Sequence, residues 1–226
     1  MALTPLLAHG HGDVAPQPVD TEALPEIGEE WLEENPYRAE AAGAEVWAAA
    51  IDIGSSGYNQ NCARCHGLEG VSGGLAPDLR YLEANIDGDE WYVERYINGY
   101  TQGGITKMPA FGELLGQKAG WAIRTYLETR PDDGALDGFS DELKAIRDDL
   151  KTKTEALEGG ADYAAMTGEI DAHIAALTGI VDQIETGSGA PIADSAVSQA
   201  IAALDGTAAG VKAAADTLTI GLSAAE

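Results

Sequence analysis

The spacing of hydrophobic residues changes partway along the chain, at a break containing proline and glycine at residues 131–138. Beyond the break, hydrophobic side chains recur at steps of three and four residues, the spacing of one face of an α-helix. The pattern predicts three helices, at about residues 140–158, 162–185 and 193–222. Each hydrophobic stripe must be covered, so residues 139–226 are predicted to form a three-helix bundle or coiled coil. The stripes consist of Leu143, Ile146, Leu150 and Leu157; Tyr163, Met166, Ile170, His173, Leu177, Ile180 and Ile184; and Val197, Ile201, Leu204, Ala208, Val211, Ala215, Leu218 and Leu222.

The part of the chain before the break contains two further regions. Prolines at positions 16, 18, 25 and 36 rule out a long helix, so residues 1–40 are predicted to form an extended N-terminal arm. Trp31 and Tyr37 are expected to hold this arm against the region that follows. Residues 41–131 hold both cysteines, many of the aromatic residues and several glycine-rich loops, and are predicted to form a separate domain.

The chain is strongly acidic along its whole length. It has 38 acidic and 13 basic residues, for a formal net charge of −25. Such a field repels nucleic acid and anionic lipid and favours a partner with a basic face, although adaptation to a salty habitat explains it equally well. No hydrophobic run approaches the roughly 18 residues needed to cross a bilayer, so no membrane span is predicted.

The two cysteines of the chain, Cys62 and Cys65, are followed directly by His66. Zinc binding would need two more good ligands, and the remaining histidines are His9, His11 and His173. A redox dithiol normally occurs in an alternating α/β pattern, which is absent here. The C-x-x-C-H spacing is instead the attachment signature of c-type haem, in which two thiols bond to the macrocycle and the histidine binds its iron.

Other residues supply the rest of such a site. Met108 lies in the sequence GGITKMPAFG, and its thioether is predicted to be the second axial iron ligand. Pro77 is placed for its carbonyl to accept a hydrogen bond from the ring of His66, which would fix the orientation of the ring. Arg80 is a candidate partner of a haem propionate, with an ordinary surface ion pair as the alternative.

With these motifs in place, residues 44–130 resemble the monohaem class I cytochromes c, an all-α family. The resemblance rests on a helix with Gly54 and Tyr58, then NCARCHG, APDL, MPAFG and the helix GWAIRTYLETR. In that family the first and last helices cross at a glycine and an aromatic residue, here Gly54 and either Trp121 or Tyr126. The resemblance implies one covalently bound haem c and a one-electron carrier rather than an enzyme.

A narrower resemblance concerns the partners. The sequences HGDVAPQPVDT, NPYR and YNQNCARCHGLEGVSGGLAPDLR are similar to cytochromes that accept electrons from quinoprotein alcohol dehydrogenases, which use pyrroloquinoline quinone. This implies such a dehydrogenase as electron donor, with a terminal oxidase or another cytochrome as acceptor. The alternative is a haem-based sensor or assembly module whose helical bundle mediates oligomerisation or docking. Self-association through the bundle is a further expectation.

Two further hypotheses concern the N-terminus. Residues 1–8 look like the last part of a secretory signal, and covalent haem attachment takes place outside the cytoplasmic membrane, so the mature protein is expected in a periplasm. If cleavage follows Ala8, the new terminus His9-Gly10-His11 would suit square-planar copper, although a tail with incidental histidines is the simpler interpretation.

Overall fold

The computed structural model describes residues 15–193 and 195–224, with side chains as far as Leu222, and is mainly helical, which confirms the predicted all-α class. No helix in these ranges is long and apolar enough to cross a membrane. The helices are α1 (Ala39–Ala42), α2 (Ala44–Asn61), α3 (Ala63–His66), α4 (Ile86–Asn98), α5 (Gly112–Glu128), α6 (Ser140–Glu158), α7 (Thr167–Val181), α8 (Ala196–Ala203) and α9 (Ala208–Ala224), and a hairpin is formed by strands β1 (Tyr100–Gln102) and β2 (Ile105–Met108).

Helices α2 and α5 cross at Gly54, the glycine expected there. A Cβ atom at Gly54 would lie 2.0 Å from the carbonyl oxygen of Ala122 and 2.9 Å from Cβ of Tyr126. Only a glycine lets the two backbones approach so closely, and of the two aromatic residues considered it is Tyr126 that faces the glycine. This crossing forms the centre of the region that precedes the break.

The N-terminal arm is extended and packs against α4 and α5. Tyr37 is fully buried, and the ring of Trp31 lies 5.8 Å from that of Tyr96, centroid to centroid. Gln117 holds the arm by its amide, because its Oε1 accepts a hydrogen bond from the backbone N–H of Leu32 at 2.7 Å. The arm therefore contributes to the core instead of trailing from it.

The region after the break differs from the predicted bundle by one helix. Residues 193–222, predicted as a single helix, form α8 and α9, so the bundle has four helices in the part of the chain that the structure describes. Leu204 ends α8, and Gly206 adopts a φ of +89°. The carboxylate of Asp205 then accepts hydrogen bonds from the backbone and side chain of Thr207 just before α9. The hydrophobic period continues across this turn, which is why periodicity alone joined the two helices.

The hydrophobic stripes of α6 to α9 face one another in one cluster of buried residues. Ile220 is the only exposed large hydrophobic residue in the described part of the bundle. Self-association through the bundle stays a prediction, as do the domain boundaries at residues 40, 131 and 139. The expectations for residues 1–8 and for His9-Gly10-His11 lie outside the described residues.

Candidate functional site

The C-x-x-C-H sequence lies at the junction of α2 and α3. Cys62 ends α2, where its backbone N–H donates to the carbonyl of Tyr58 at 2.8 Å, and the carbonyl of Cys62 accepts the N–H of His66 at 3.0 Å. This turn separates the environments of the three side chains. Cys62 is half-buried, Cys65 is exposed, and His66 is 9% exposed.

The imidazole of His66 is held by the residue predicted to hold it. Its Nδ1 lies 2.9 Å from the carbonyl oxygen of Pro77. A carbonyl can only accept a hydrogen bond, so Nδ1 carries a proton, and in the neutral ring this leaves the lone pair of Nε2 for a metal. Gly67 has a φ of +83°, and a Cβ there would lie 1.9 Å from the carbonyl oxygen of Val71. The hydroxyl of Tyr58 donates to the carbonyl of Gly67 at 2.7 Å, which fixes the backbone directly after the histidine.

Met108 ends strand β2 and is paired with Tyr100 in the hairpin ladder. It is half-buried and packs against the same hydrophobic cluster as Cys62, a cluster that includes Tyr96 and Phe111. The structure therefore brings the methionine and the first cysteine to one aromatic cluster from positions far apart in the chain. Their roles as ligand and attachment point stay predictions.

Arg80 is buried and is engaged within the chain. Its Nε and Nη2 donate to the two carboxylate oxygens of Asp78 at 3.0 and 2.8 Å, and its Nη1 donates to the carbonyl of Pro131 at 3.3 Å. Burial raises the pKa of Asp78, but the hydrogen bonds from Arg80 outweigh it and hold that pKa below the usual value. The ion pair considered for Arg80 is present, and its contact with a propionate stays a prediction.

The donor set of this region fits a covalently attached haem better than a zinc ion. Cys62 and Cys65 are free thiols, and burial, with the neighbouring Cys65, raises the pKa of the Cys62 thiol to about 12. No group of three or more His, Cys, Asp or Glu side chains suited to a metal occurs in residues 15–193 and 195–224. Two thiols, one imidazole and one thioether are the groups that haem c uses.

A buried ionic network behind the site was missed by sequence reasoning. The carboxylate of Asp89 accepts hydrogen bonds from Arg38 at 2.8 Å and from Arg124 at 2.9 Å, and Glu128 pairs with both guanidinium groups. The backbone N–H of Asn35 completes the set on Asp89 at 2.9 Å. The network joins the arm, α4 and α5, and its only local signal in the sequence is the spacing of four residues between Arg124 and Glu128.

Comparisons with known proteins identify relatives of this chain. The family described as "Cytochrome C oxidase, cbb3-type, subunit III" matches residues 49–127. Cytochrome c550 of Pseudomonas aeruginosa is 54% identical over 123 residues, which are 54% of this chain and 83% of that protein. The quinohemoprotein alcohol dehydrogenase ADH-IIG of Pseudomonas putida is 32% identical over 85 residues, which are 38% of this chain and 11% of that protein. No solved structure matches the chain.

The similarity to cytochrome c550 covers 83% of that relative, and the family match at residues 49–127 contains Cys62, Cys65 and His66. The resemblance drawn from the sequence is thereby confirmed, and with it the covalently bound haem c and a role in electron transfer rather than in classical enzyme catalysis. This chain belongs to the cytochrome c family, as a monohaem class I cytochrome c.

Proposed function

We propose that this chain is a periplasmic one-electron carrier in which Cys62 and Cys65 bind haem c through thioether bonds and His66 and Met108 are the axial ligands. The observation that carries the proposal is the contact of 2.9 Å between Nδ1 of His66 and the carbonyl oxygen of Pro77. It selects the tautomer in which Nε2 is free to bind iron. When bound, haem c supplies reversible exchange of one electron between ferrous and ferric iron.

The residues of the chain set the conditions for that exchange. The carbonyl of Pro77 accepts a hydrogen bond from Nδ1 of His66. This hydrogen bond makes the imidazole a stronger electron donor to the iron and favours the ferric state. The thioether of Met108 acts in the opposite direction and favours the ferrous state. His66 and Met108 would together hold the iron and leave no coordination position open to a substrate, which suits a carrier.

The donor and acceptor are proposed from chemistry and from similarity. The match to a stretch of a protein named quinohemoprotein alcohol dehydrogenase supports a quinoprotein alcohol dehydrogenase, dependent on pyrroloquinoline quinone, as donor. A terminal oxidase or another cytochrome is the proposed acceptor, passing electrons to the respiratory chain. The proposed edge for electron entry lies near Ala63, Lys107 and Pro109, of which Ala63 is half-buried and Lys107 and Pro109 are exposed.

Charge supports a basic partner for that edge. The arm has exposed carboxylates, among them Glu29, Glu30, Glu33 and Glu34, in the stretch that packs against α4 and α5. These helices flank the segment with Met108. We call these four carboxylates the acidic rim. The rim attracts a basic donor over a distance set by the ionic strength, and so raises the rate of encounter more than the affinity.

The donor assignment is tested by stopped-flow reduction of the oxidised holoprotein by a purified quinoprotein alcohol dehydrogenase in the presence of its alcohol. We expect fast reduction whose rate falls steeply as salt is added. Glu33→Lys should slow the reaction more than the matched change Glu155→Lys on the exposed face of α6. Reduction no faster than with the alcohol alone, or equal effects of the two substitutions, would contradict the proposed donor and rim.

A further inference from the structure

The helical bundle contacts the cytochrome part of the chain through the segment between α7 and α8. We call this segment, residues 185–193, the docking loop. The backbone N–H of Ala84 donates to the carbonyl of Ser188 at 2.9 Å, and the hydroxyl of Ser188 donates to the carbonyl of Glu128 at 2.6 Å. The side chain of Ala193 packs against the aromatic cluster that also receives Met108. Ser188 is 7% exposed, so these hydrogen bonds lie away from water.

The docking loop packs against a segment that starts at Pro77, the residue whose carbonyl contacts His66. This segment, residues 77–84, is called the Pro77 loop here. From the inside it is held by Arg124, whose guanidinium donates to the carbonyls of Leu82 at 3.2 Å and Glu83 at 2.5 Å. The backbone N–H of Leu79 also donates to the carbonyl of Gly70 at 3.2 Å. From the outside, the partner of its last backbone N–H, that of Ala84, is Ser188.

The docking loop packs closely against the Pro77 loop at Gly187. A Cβ atom at Gly187 would lie 2.9 Å from Cδ1 of Tyr81 and 3.0 Å from the carbonyl oxygen of Arg80. The backbone of the docking loop therefore rests directly on the Pro77 loop, with no room for a side chain between them. The guanidinium of Arg80 adds a hydrogen bond to the carbonyl of Pro131, at the base of the linker to the bundle.

The contacts on the inner and outer faces of the Pro77 loop both lead to residues near the end of α5. Arg124 pairs with Glu128 at 3.2 Å, and the carbonyl of Glu128 accepts the hydroxyl of Ser188. Ser188 thus joins the end of α5 to the end of the Pro77 loop. The bundle does not need this contact to cover its hydrophobic stripes, because the residues of its buried cluster all lie between Leu143 and Leu222.

We propose that the bundle acts as a clamp on the Pro77 loop, with Ser188 and Gly187 as positioning residues that keep the carbonyl of Pro77 on Nδ1 of His66. The proposal deepens the proposed function and rests on His66 as the iron ligand. The clamp restricts the Pro77 loop between Arg124 and Ser188, so the hydrogen bond on the imidazole keeps one geometry. Loosening it weakens that bond, reduces electron donation from the ring and raises the reduction potential.

Amide hydrogen exchange in the reduced holoprotein, measured by NMR, tests the clamp. Gly187→Ala is the perturbing variant, and Gly179→Ala is its matched control, because a Cβ at Gly179 on the exposed side of α7 meets no atom within 4 Å. We expect Gly187→Ala to speed exchange of the Ala84 amide about tenfold or more, as for loss of a buried hydrogen bond. The Leu79 amide and the Nδ1 proton of His66 should also exchange faster, and the reduction potential should rise. The control should change none of these quantities.

Ser188→Ala provides a second, milder variant, since it removes the hydroxyl and leaves the carbonyl that binds Ala84. It should give the same changes at smaller size. Equal exchange at Ala84 in both glycine variants would overturn the clamp. Faster exchange at Ala84 with Leu79, the His66 proton and the potential all unchanged would overturn the positioning role. Failure of the proposed ligation is distinguishable, because it changes the wild-type haem spectrum whatever the exchange rates are.

Discussion

Replacing the buried carboxylate of Asp89 should destabilise the protein strongly. Asp89 is fully buried, and its oxygens accept hydrogen bonds from Arg38, Arg124 and the backbone N–H of Asn35. Asp89→Asn keeps the shape of the side chain but removes its charge, and leaves two guanidinium groups facing the single carboxylate of Glu128. Removing one partner of a buried ion pair costs about 3–5 kcal/mol, and we expect a loss of that size in the free energy of unfolding.

Urea unfolding of the holoprotein, followed by far-UV circular dichroism, measures the effect. The matched control is Glu94→Gln, because Glu94 pairs with Arg95 at 3.0 Å while its own side chain is 59% exposed. An exposed pair of this kind contributes at most about 1 kcal/mol, so the control should unfold close to the wild type. If Asp89→Asn lowers the free energy of unfolding no more than Glu94→Gln does, at an unchanged m-value, the network does not stabilise the arm against α4 and α5.

Two other perturbations test the crossing of α2 with α5 and the bundle. Gly54→Ala should lower the free energy of unfolding by at least about 2 kcal/mol, because the added Cβ meets the backbone of α5. The control Gly179→Ala should change the free energy of unfolding by no more than about 1 kcal/mol. Equal thermal unfolding of the two variants would argue against the close crossing. Burial raises the pKa of Asp149, but hydrogen bonds from His173 and Lys153 outweigh it and hold that pKa below the usual value. A lowered folded-state pKa means that the stabilisation is complete above the unfolded-state pKa of about 3.9 and is lost as pH falls through the folded-state value. Asp149→Asn should therefore unfold at a lower temperature near neutral pH, with a difference from the wild type that vanishes in acid; a difference that grows in acid would contradict the assignment.

The parts of the fold that could be predicted are those determined by residues close together in the chain. The stripes on α6 and α7 repeat at helical spacing, so a bundle followed from the sequence alone. The C-x-x-C-H sequence and the backbone preferences of proline and glycine likewise act over a short stretch of chain, which is why Pro77 could be paired with His66 from the sequence. The contact of 2.9 Å between them agrees with that expectation.

The features that escaped prediction depend on residues distant in the chain. Asp89 and Arg124 lie 35 positions apart, and Ser188 and Glu128 lie 60 apart, so no periodicity relates them. The break between α8 and α9 is local, but its turn residues at Asp205 and Gly206 sit inside an unbroken hydrophobic period. There, turn chemistry outweighs the pattern that predicts a continuous helix.

If His66 and Met108 both bind the haem iron, the protein is a carrier with no position open to a gas. The absorption spectrum of the reduced holoprotein at neutral pH, recorded with and without carbon monoxide, tests this ligation. We expect a low-spin spectrum unaffected by the gas in the wild type and in the control Met166→Ala, and loss of that spectrum with uptake of carbon monoxide in Met108→Ala. A wild type that binds carbon monoxide, or a Met108→Ala variant with an unchanged spectrum, would contradict ligation by Met108 and favour a haem-based sensor.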